Sequence, residues 1–218
     1  MTIRVLLVDD HTILRDGVRL LLELQGDMEV VGEAANGRSA VRLTTELSPD
    51  VVVMDVTMPD LNGIEATRQI LAASSGTRVL GLSQHADRRL LADMLKAGAV
   101  GYLLKTSCGT ELVGAVRTVV AGHAYLSPEI TGVVVGDYVN EVPAAAGSTP
   151  LHSLTPRQRE VLQLVAEGRN TKEIAAALRV SIRTVEANRA QVMGKLQVRS
   201  VAGLTKFAVK AGVTSPEP

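Results

Sequence analysis

The segment VVVMDVTMPDLNG, residues 51–63, is the part of the sequence that decides the fold. Its first four residues are apolar, and they lack the polar alternation of a strand that is half exposed to water. Such a run predicts a central strand buried on both faces. Asp55 follows the run directly. The segment therefore predicts a buried strand that ends in a carboxylate.

Similar apolar runs rich in β-branched residues recur on both sides of this segment. Together with it they predict five strands, at Ile3–Val8, Met28–Glu33, Val51–Met54, Val79–Leu82 and Gly101–Leu104. Stretches with the apolar period of an amphipathic helix lie between and after them, at Leu14–Leu24, Ser39–Leu47, Ile64–Ala73, Arg88–Lys96 and Glu111–Ala121. Strands that alternate with helices predict an α/β domain, residues 1–125, with a doubly wound five-stranded parallel sheet.

The rest of the chain predicts a linker and then a small all-α domain. Residues 126–152 include a possible short helix and a stretch, 141–150, rich in Ala, Gly and Pro, as in flexible linkers. From residue 153 to 218 the pattern is helical, and four helices are predicted to start after the capping residues Thr155, Asn170, Ser181 and Ser200. The second and third are joined by a tight turn at Arg179-Val180, which predicts a helix-turn-helix.

Composition and charge narrow the function classes. Residues 1–140 hold 17 Asp and Glu against 12 Lys and Arg, whereas residues 141–218 hold 6 against 11, so the second part is basic and suited to a polyanion. Cys108 is the only cysteine, which excludes an intrachain disulfide and a multi-cysteine metal site. With no Trp and one Phe, a stacking platform for single-stranded nucleic acid is not expected. No leader and no membrane span is predicted, so we expect a cytoplasmic protein.

Polar side chains follow four of the predicted strands, namely Asp9, Asp10, Asp55, Ser83 and Lys105. Strand ends in an open parallel sheet converge on one crevice, where ligands bind. Two carboxylates about 4 Å apart repel by ~4 kcal/mol at an effective dielectric of about 20, and a divalent cation and an ammonium would offset this. These residues supply hard oxygen ligands but fewer than a full coordination shell, which favours Mg²⁺ because this ion keeps bound waters and shares a phosphate oxygen. The cluster predicts phosphoryl transfer with Asp55 as nucleophile.

Three motifs in this order resemble the receiver domain of NarL/FixJ-family response regulators: VDDH at residues 8–11, residues 51–63, and KAGAVGYLLK at residues 96–105. The likeness covers roughly residues 3–125 and implies a flavodoxin-like fold. By this resemblance Asp55 accepts the phosphoryl group, and Mg²⁺ is held by Asp10, Asp55, the carbonyl of Thr57 and, mostly through water, Asp9. Ser83 and Lys105 contact phosphoryl oxygens, and Tyr102 is an aromatic switch.

Several of these residues also have plainer interpretations. Tyr102 taken alone is more typical of a core residue than of a switch. His11 and His85 are more typical of polar edge residues than of ligands or acid–base groups. Thr106 stands where many receivers have proline, which leaves open whether the Lys105–Thr106 peptide bond is cis.

In the all-α domain the third helix has two faces. Val185, Val192 and Leu196 form an apolar stripe that is expected to be buried. The other face is polar and could enter a DNA groove, with Arg183, Thr184, Asn188, Gln191 and Lys195.

The strings LTPRQREVL (154–162), NTKEIA (170–175) and VSIRTVEANR (180–189) resemble the LuxR-type helix-turn-helix over roughly residues 153–213. The resemblance implies that Lys172 binds phosphate and that Thr184, Asn188 and Lys195 contact DNA. The family very often has His where this chain has Asn188, so its base preference does not transfer. The last helix, with Val201, Leu204, Ala208 and Val209, is either a dimer contact or a fourth core helix.

The sequence thus predicts a two-component response regulator and DNA-binding transcription factor, phosphorylated on Asp55 by a sensor histidine kinase. Phosphorylation is expected to favour a homodimer and promoter binding on double-stranded DNA. No enzymatic activity beyond slow self-dephosphorylation is expected. A haloacid-dehalogenase-type phosphatase is disfavoured because Thr57 stands where that class has a second Asp. A phosphorylation-independent regulator, whose receiver serves only to dimerise, remains the alternative.

Overall fold

The computed structural model describes residues 2–74, 76–132 and 150–214. The chain divides into two compact units, Met1–Glu141 and Val142–Pro218. The division falls within the predicted linker, of which residues 133–149 lie outside the described residues. Residues 128–132 are helical, at the position of the possible short helix.

The first unit alternates strands and helices from its beginning to residue 126. A single 3-10 turn, Lys105–Ser107, joins its fifth strand to its fifth helix. The elements are β1 (Ile3–Val8), α1 (Thr12–Glu23), β2 (Met28–Ala34), α2 (Gly37–Leu47), β3 (Val51–Asp55), α3 (Gly63–Ala73), β4 (Arg78–Ser83), α4 (Arg88–Lys96), β5 (Gly101–Leu104), α5 (Cys108–Val120) and β6 (Tyr125–Leu126).

The strands form one parallel sheet in the order β2-β1-β3-β4-β5-β6. This confirms the predicted doubly wound parallel sheet, and the order reverses between β1 and β3. The predicted number of five strands is one too few, because β6 pairs with β5 at the edge. β6 has only two residues, which is too few to show the alternating pattern of a strand in the sequence. Its position is fixed by backbone hydrogen bonds from Tyr125 N to Val100 O and from Ser127 N to Tyr102 O.

The sheet is covered on both faces, as the unbroken apolar strands predicted. In β3, Val52 and Met54 pack in one apolar cluster, whereas Val51 and Val53 pack in the other. All five residues of the strand are buried. A strand of this kind needs apolar side chains on both faces because neither face meets water.

The described part of the second unit, residues 150–214, has four helices after a 3-10 turn, Pro150–Ser153. They are α6 (Pro156–Ala166), α7 (Thr171–Leu178), α8 (Ile182–Leu196) and α9 (Val201–Lys210). The four predicted caps are confirmed, since the side chains of Thr155, Asn170, Ser181 and Ser200 each accept a backbone N–H of their helix.

Arg179 ends α7 in the left-handed region, with φ 53°. This tight turn leads directly to the cap of α8 and gives the predicted helix-turn-helix. Within the described ranges no helix is both long and apolar enough to cross a lipid bilayer.

Candidate functional site

The site of the first unit lies where the strand order reverses. Asp9 follows β1 and Asp55 is the last residue of β3, and Val8 of β1 pairs with Met54 of β3. The two carboxylates are therefore neighbours at the same edge of the sheet. Only 4% of Asp9 and 3% of Asp55 is exposed.

Lys105, after β5, reaches both carboxylates. Its Nζ lies 2.7 Å from Asp55 Oδ2 and 2.7 Å from Asp9 Oδ2, and only 7% of its side chain is exposed. One buried ammonium thus faces two buried carboxylates, which leaves an excess of negative charge in the site. Such a site attracts a second cation.

The charges of the site shift its pKa values. Burial raises the pKa of Asp55 to about 7, Lys105 opposes this rise, and the charge of Asp9 adds to it. Burial lowers the pKa of Lys105, but the two carboxylates outweigh burial and raise it overall. Lys105 therefore stays charged at neutral pH, whereas Asp55 is poised to gain or lose a proton.

A third carboxylate and an imidazole complete the cluster. Asp9, Asp10, His11 and Asp55 each offer one ligand atom, and these atoms lie within 4.8 Å of one another. His11 Nδ1 is 2.9 Å from Asp10 Oδ1 and 3.1 Å from Asp9 Oδ1. The predicted carboxylates are brought together, and their hard oxygen donors fit a divalent cation. The contacts of His11 were not predicted, because its pattern indicates only a residue at the strand edge.

Thr57 lies in the bend after β3, Ser83 is the last residue of β4, and Tyr102 lies on β5. The Thr57 backbone N–H donates to Asp55 Oδ1 at 3.3 Å. Ser83 ends β4, where its Oγ donates to the carbonyl of His85 at 3.0 Å. Tyr102 is fully buried, and burial raises its pKa to about 12.

Tyr102 packs beside Gly81 of the neighbouring strand, where an added Cβ would lie 3.3 Å from its ring. The ring is therefore turned inward. The Lys105–Thr106 peptide bond is trans, since the described part of the chain contains no cis bond.

The second unit presents the predicted helix α8. Val185, Val192 and Leu196 are buried, which confirms the apolar stripe. Arg183 and Thr184 are exposed, and Lys172 is exposed near the start of α7. Asn188 is half-buried and donates from Nδ2 to the carbonyl of Thr184 at 2.8 Å.

Gln191 and Lys195, the other two predicted DNA contacts, are bonded to the start of α6. Gln191 Oε1 accepts from Gln158 Nε2 at 2.7 Å. Lys195 Nζ donates to Gln158 Oε1 at 2.7 Å and to the carbonyl of Ser153 at 2.8 Å. From the sequence, Gln158 is expected only in the first turn of the helix that follows Thr155. No local signal could show that Gln158 bonds to Gln191 and Lys195, because these partners are 33 and 37 residues away along the chain.

The last helix, α9, is divided between the core and the surface. Leu204 and Ala208 are fully buried in the core of the second unit, whereas 49% of Val201 is exposed. Val209 is half-buried. A dimer contact on this helix therefore remains a prediction that concerns Val201 and Val209.

Comparisons with known proteins agree with this geometry. Residues 5–117 match the response regulator receiver domain, and residues 152–208 match the bacterial regulatory proteins of the luxR family. Oxygen regulatory protein NreC of Staphylococcus carnosus is 39% identical over 95% of this chain and 97% of its own length. Transcriptional regulatory protein LiaR of Bacillus subtilis is 40% identical over 90% of this chain and 92% of its own.

The solved structures include response regulators that align with this chain over nearly their whole length. RcsB of Salmonella typhimurium aligns with a TM-score of 0.59 at 25% identity, over 96% of this chain and 98% of RcsB. A structure of two RcsB dimers bound to two parallel DNAs aligns with a TM-score of 0.57 at 25% identity, over 95% and 98% of the two chains. The chain therefore belongs to the two-component response regulators and consists of a receiver domain followed by a LuxR-type DNA-binding domain, as in the transcriptional regulators that it resembles.

Proposed function

We propose that Asp55 accepts a phosphoryl group from a sensor histidine kinase and that this modification increases promoter binding by the second domain. The observation that supports Asp55 most directly is its ion pair with Lys105, at 2.7 Å between two buried side chains and beside Asp9. A nucleophile needs one such cation to hold the oxygens of an incoming phosphoryl group.

The transfer requires little of the protein beyond positioning and charge. A carboxylate oxygen of Asp55 bonds to phosphorus while the bond from phosphorus to the donor nitrogen breaks, and the freed imidazole keeps the electron pair. Lys105 then holds phosphoryl oxygens in place of its present carboxylate partners. Bound Mg²⁺ would supply positive charge to the phosphoryl oxygens. Asp10, Asp55, the carbonyl of Thr57 and, through water, Asp9 are the groups proposed to hold it.

Ser83 and Tyr102 are proposed to report the modification. The Ser83 hydroxyl now bonds to the loop that follows β4, and a phosphoryl oxygen offers it a charged acceptor instead. Movement of that loop would stabilise the inward position of the Tyr102 ring, which is the position that the ring has in this structure. Phosphorylation can shift this equilibrium only by the difference in free energy that it makes between the two states.

The second domain is proposed to bind double-stranded promoter DNA as a homodimer in the cytoplasm. The RcsB dimers on DNA support this arrangement. Lys172 is proposed to bind phosphate, and the other contacts with DNA are assigned to Arg183, Thr184, Asn188, Gln191 and Lys195. Two recognition helices on adjacent half-sites would be about 10 base pairs apart.

The test is the intact mass of the protein after incubation with acetyl phosphate and Mg²⁺, followed by DNA binding. The wild type is expected to gain one phosphoryl group and bind promoter DNA more tightly. Asp55→Asn is expected to gain none and to bind as the unmodified protein does. Asp16→Asn, with 52% of the side chain exposed on α1, is the matched control and is expected to behave as wild type.

An unmodified wild type with unchanged DNA binding would favour the phosphorylation-independent regulator instead. No catalytic turnover is proposed beyond slow loss of the phosphoryl group to water, which the mass of the adduct followed over time measures.

A further inference from the structure

Gln158 occupies a position where its amide orientation is fixed by its neighbours. It is the third residue of α6, and only 3% of it is exposed. One branch of its amide meets the backbone N–H of Thr155 at 3.0 Å and the ammonium of Lys195 at 2.7 Å. Both partners can only donate, so this branch must be the carbonyl oxygen. The other branch is therefore the NH₂ group.

The orientation of Gln158 in turn fixes that of Gln191. The Gln158 NH₂ lies 2.7 Å from the amide of Gln191, and a donor requires an acceptor at that distance. The Gln191 carbonyl oxygen must therefore point towards α6. Its own NH₂ group makes no hydrogen bond with any residue in the described ranges, and the side chain is exposed on α8.

We infer that Gln158 acts as a positioning residue that makes Gln191 a hydrogen-bond donor towards the DNA base edges, with guanine as the preferred base. An unrestrained Gln pairs with adenine through its oxygen and its NH₂ together. Gln191 presents the NH₂ to the groove, because the bond from Gln158 turns its oxygen towards α6. Guanine presents two acceptors in the major groove, N7 and O6, whereas cytosine presents a donor there. This inference rests on the proposed DNA binding through α8.

Lys195 is held by the same residue in a way that suits a phosphate contact. Its ammonium has three N–H donors, of which two bond to Gln158 Oε1 and to the carbonyl of Ser153. The third is left in a fixed direction. A lysine side chain anchored in this way loses less conformational freedom when it binds.

The variant Gln158→Glu tests the inference, because it keeps the shape and the acceptors but removes the donor. A carboxylate still accepts from Thr155 and Lys195, so the cap and the Lys195 contact remain. Gln191 must then turn its NH₂ towards the carboxylate and present its oxygen to the groove. The expected result is a change of preference at one base of each half-site, from guanine to cytosine or adenine, by about tenfold.

The measurement uses the full-length phosphorylated protein, selection from duplexes with a randomised half-site, and sequencing of the bound fraction. Gln191→Ala is expected to lose the preference at that base alone. Gln163→Leu removes a buried amide of the same helix whose NH₂ bonds to Glu167, and it is expected to leave base preference unchanged. Melting temperatures of all variants separate loss of fold from loss of recognition.

If Gln158→Glu binds with the base preference of the wild type, the inference is overturned, and the proposed DNA binding stands. If the wild type selects no DNA, the proposed function itself fails. Should Gln158→Glu not fold, Gln191→Glu replaces it, because this exposed position tolerates the change. The carboxylate oxygen that the Gln191→Glu variant turns to the groove is expected to select against guanine, because guanine presents only acceptors there. Unchanged selection of guanine would overturn the inference.

Discussion

The two sites of the molecule differ in what holds them together. In the receiver, Lys105 lies between two carboxylates that are almost completely buried. In the DNA-binding domain, Gln158 joins Gln191 and Lys195 through hydrogen bonds, and both partners are exposed. Buried charge responds strongly to an added phosphate or cation, because a low dielectric enlarges every interaction. Hydrogen bonds next to a surface instead fix the shape of a binding face before its partner arrives.

The largest expected contrast between the two regions comes from one substitution made in each. A Cβ at Gly63 would collide with the backbone of Asp55, whereas a Cβ at Gly194 would meet nothing within 4 Å. Gly63→Ala is therefore expected to lower the free energy of unfolding of the receiver by about 3 kcal/mol. Gly194→Ala, in the last turn of α8, is expected to raise that of the second domain by about 1 kcal/mol.

Urea unfolding followed by far-UV circular dichroism measures both changes. Equal effects of the two substitutions would contradict the contrast, because they would show that the site after β3 is as open as the surface of α8.

The next effect concerns the buried charge of the receiver in metal-free protein. The pKa of Asp55 is about 7 in the folded chain and about 3.9 in an unfolded one. The folded state therefore binds the proton more tightly, and wild-type stability falls as pH rises from about 4 to about 7. Asp55→Asn leaves Lys105 and Asp9 as a neutral pair. It is expected to stabilise the receiver by about 2 kcal/mol at pH 8 and to have little effect near pH 4.

Thermal unfolding across this pH range, in the presence of EDTA, measures the difference. Asp16→Asn on the exposed face of α1 is the control and is expected to change stability by less than about 0.5 kcal/mol. A stabilisation by Asp55→Asn that is independent of pH would contradict the assignment of the raised pKa to Asp55.

The smallest expected contrast compares two helix caps. Asn62 caps α3 beside the receiver site with 7% of it exposed, whereas Asn170 caps α7 and is exposed. Asn170→Ala is expected to cost about 1 kcal/mol. Asn62→Ala is expected to cost about 2 kcal/mol, because the Glu65 N–H that it leaves unpaired is buried. Equal costs, measured by urea unfolding, would show that burial of the cap has no consequence.

Local patterns predicted most of the elements and failed for contacts between them. The capping residues of all four helices of the second unit follow from sequence, because a cap bonds to a backbone group two or three residues away. β6 did not follow, because two residues have no period and pair only through the neighbouring strand. Strand ends predicted that Asp9, Asp55 and Lys105 converge, since parallel strands end at the same edge of a sheet.

The sequence by itself determined the fold class, the helix-turn-helix, and the set of polar residues that meet at the strand ends. Periodicity and caps act over a few residues, and the order of the elements along the chain can be read once the elements are recognised. Only the tertiary structure decided how Asp55 is ionised and which way Gln191 presents its amide. Both depend on partners 33 to 50 residues away along the chain. Packing brings such partners within 3 Å, where hydrogen bonds form and the interaction between charges is strong.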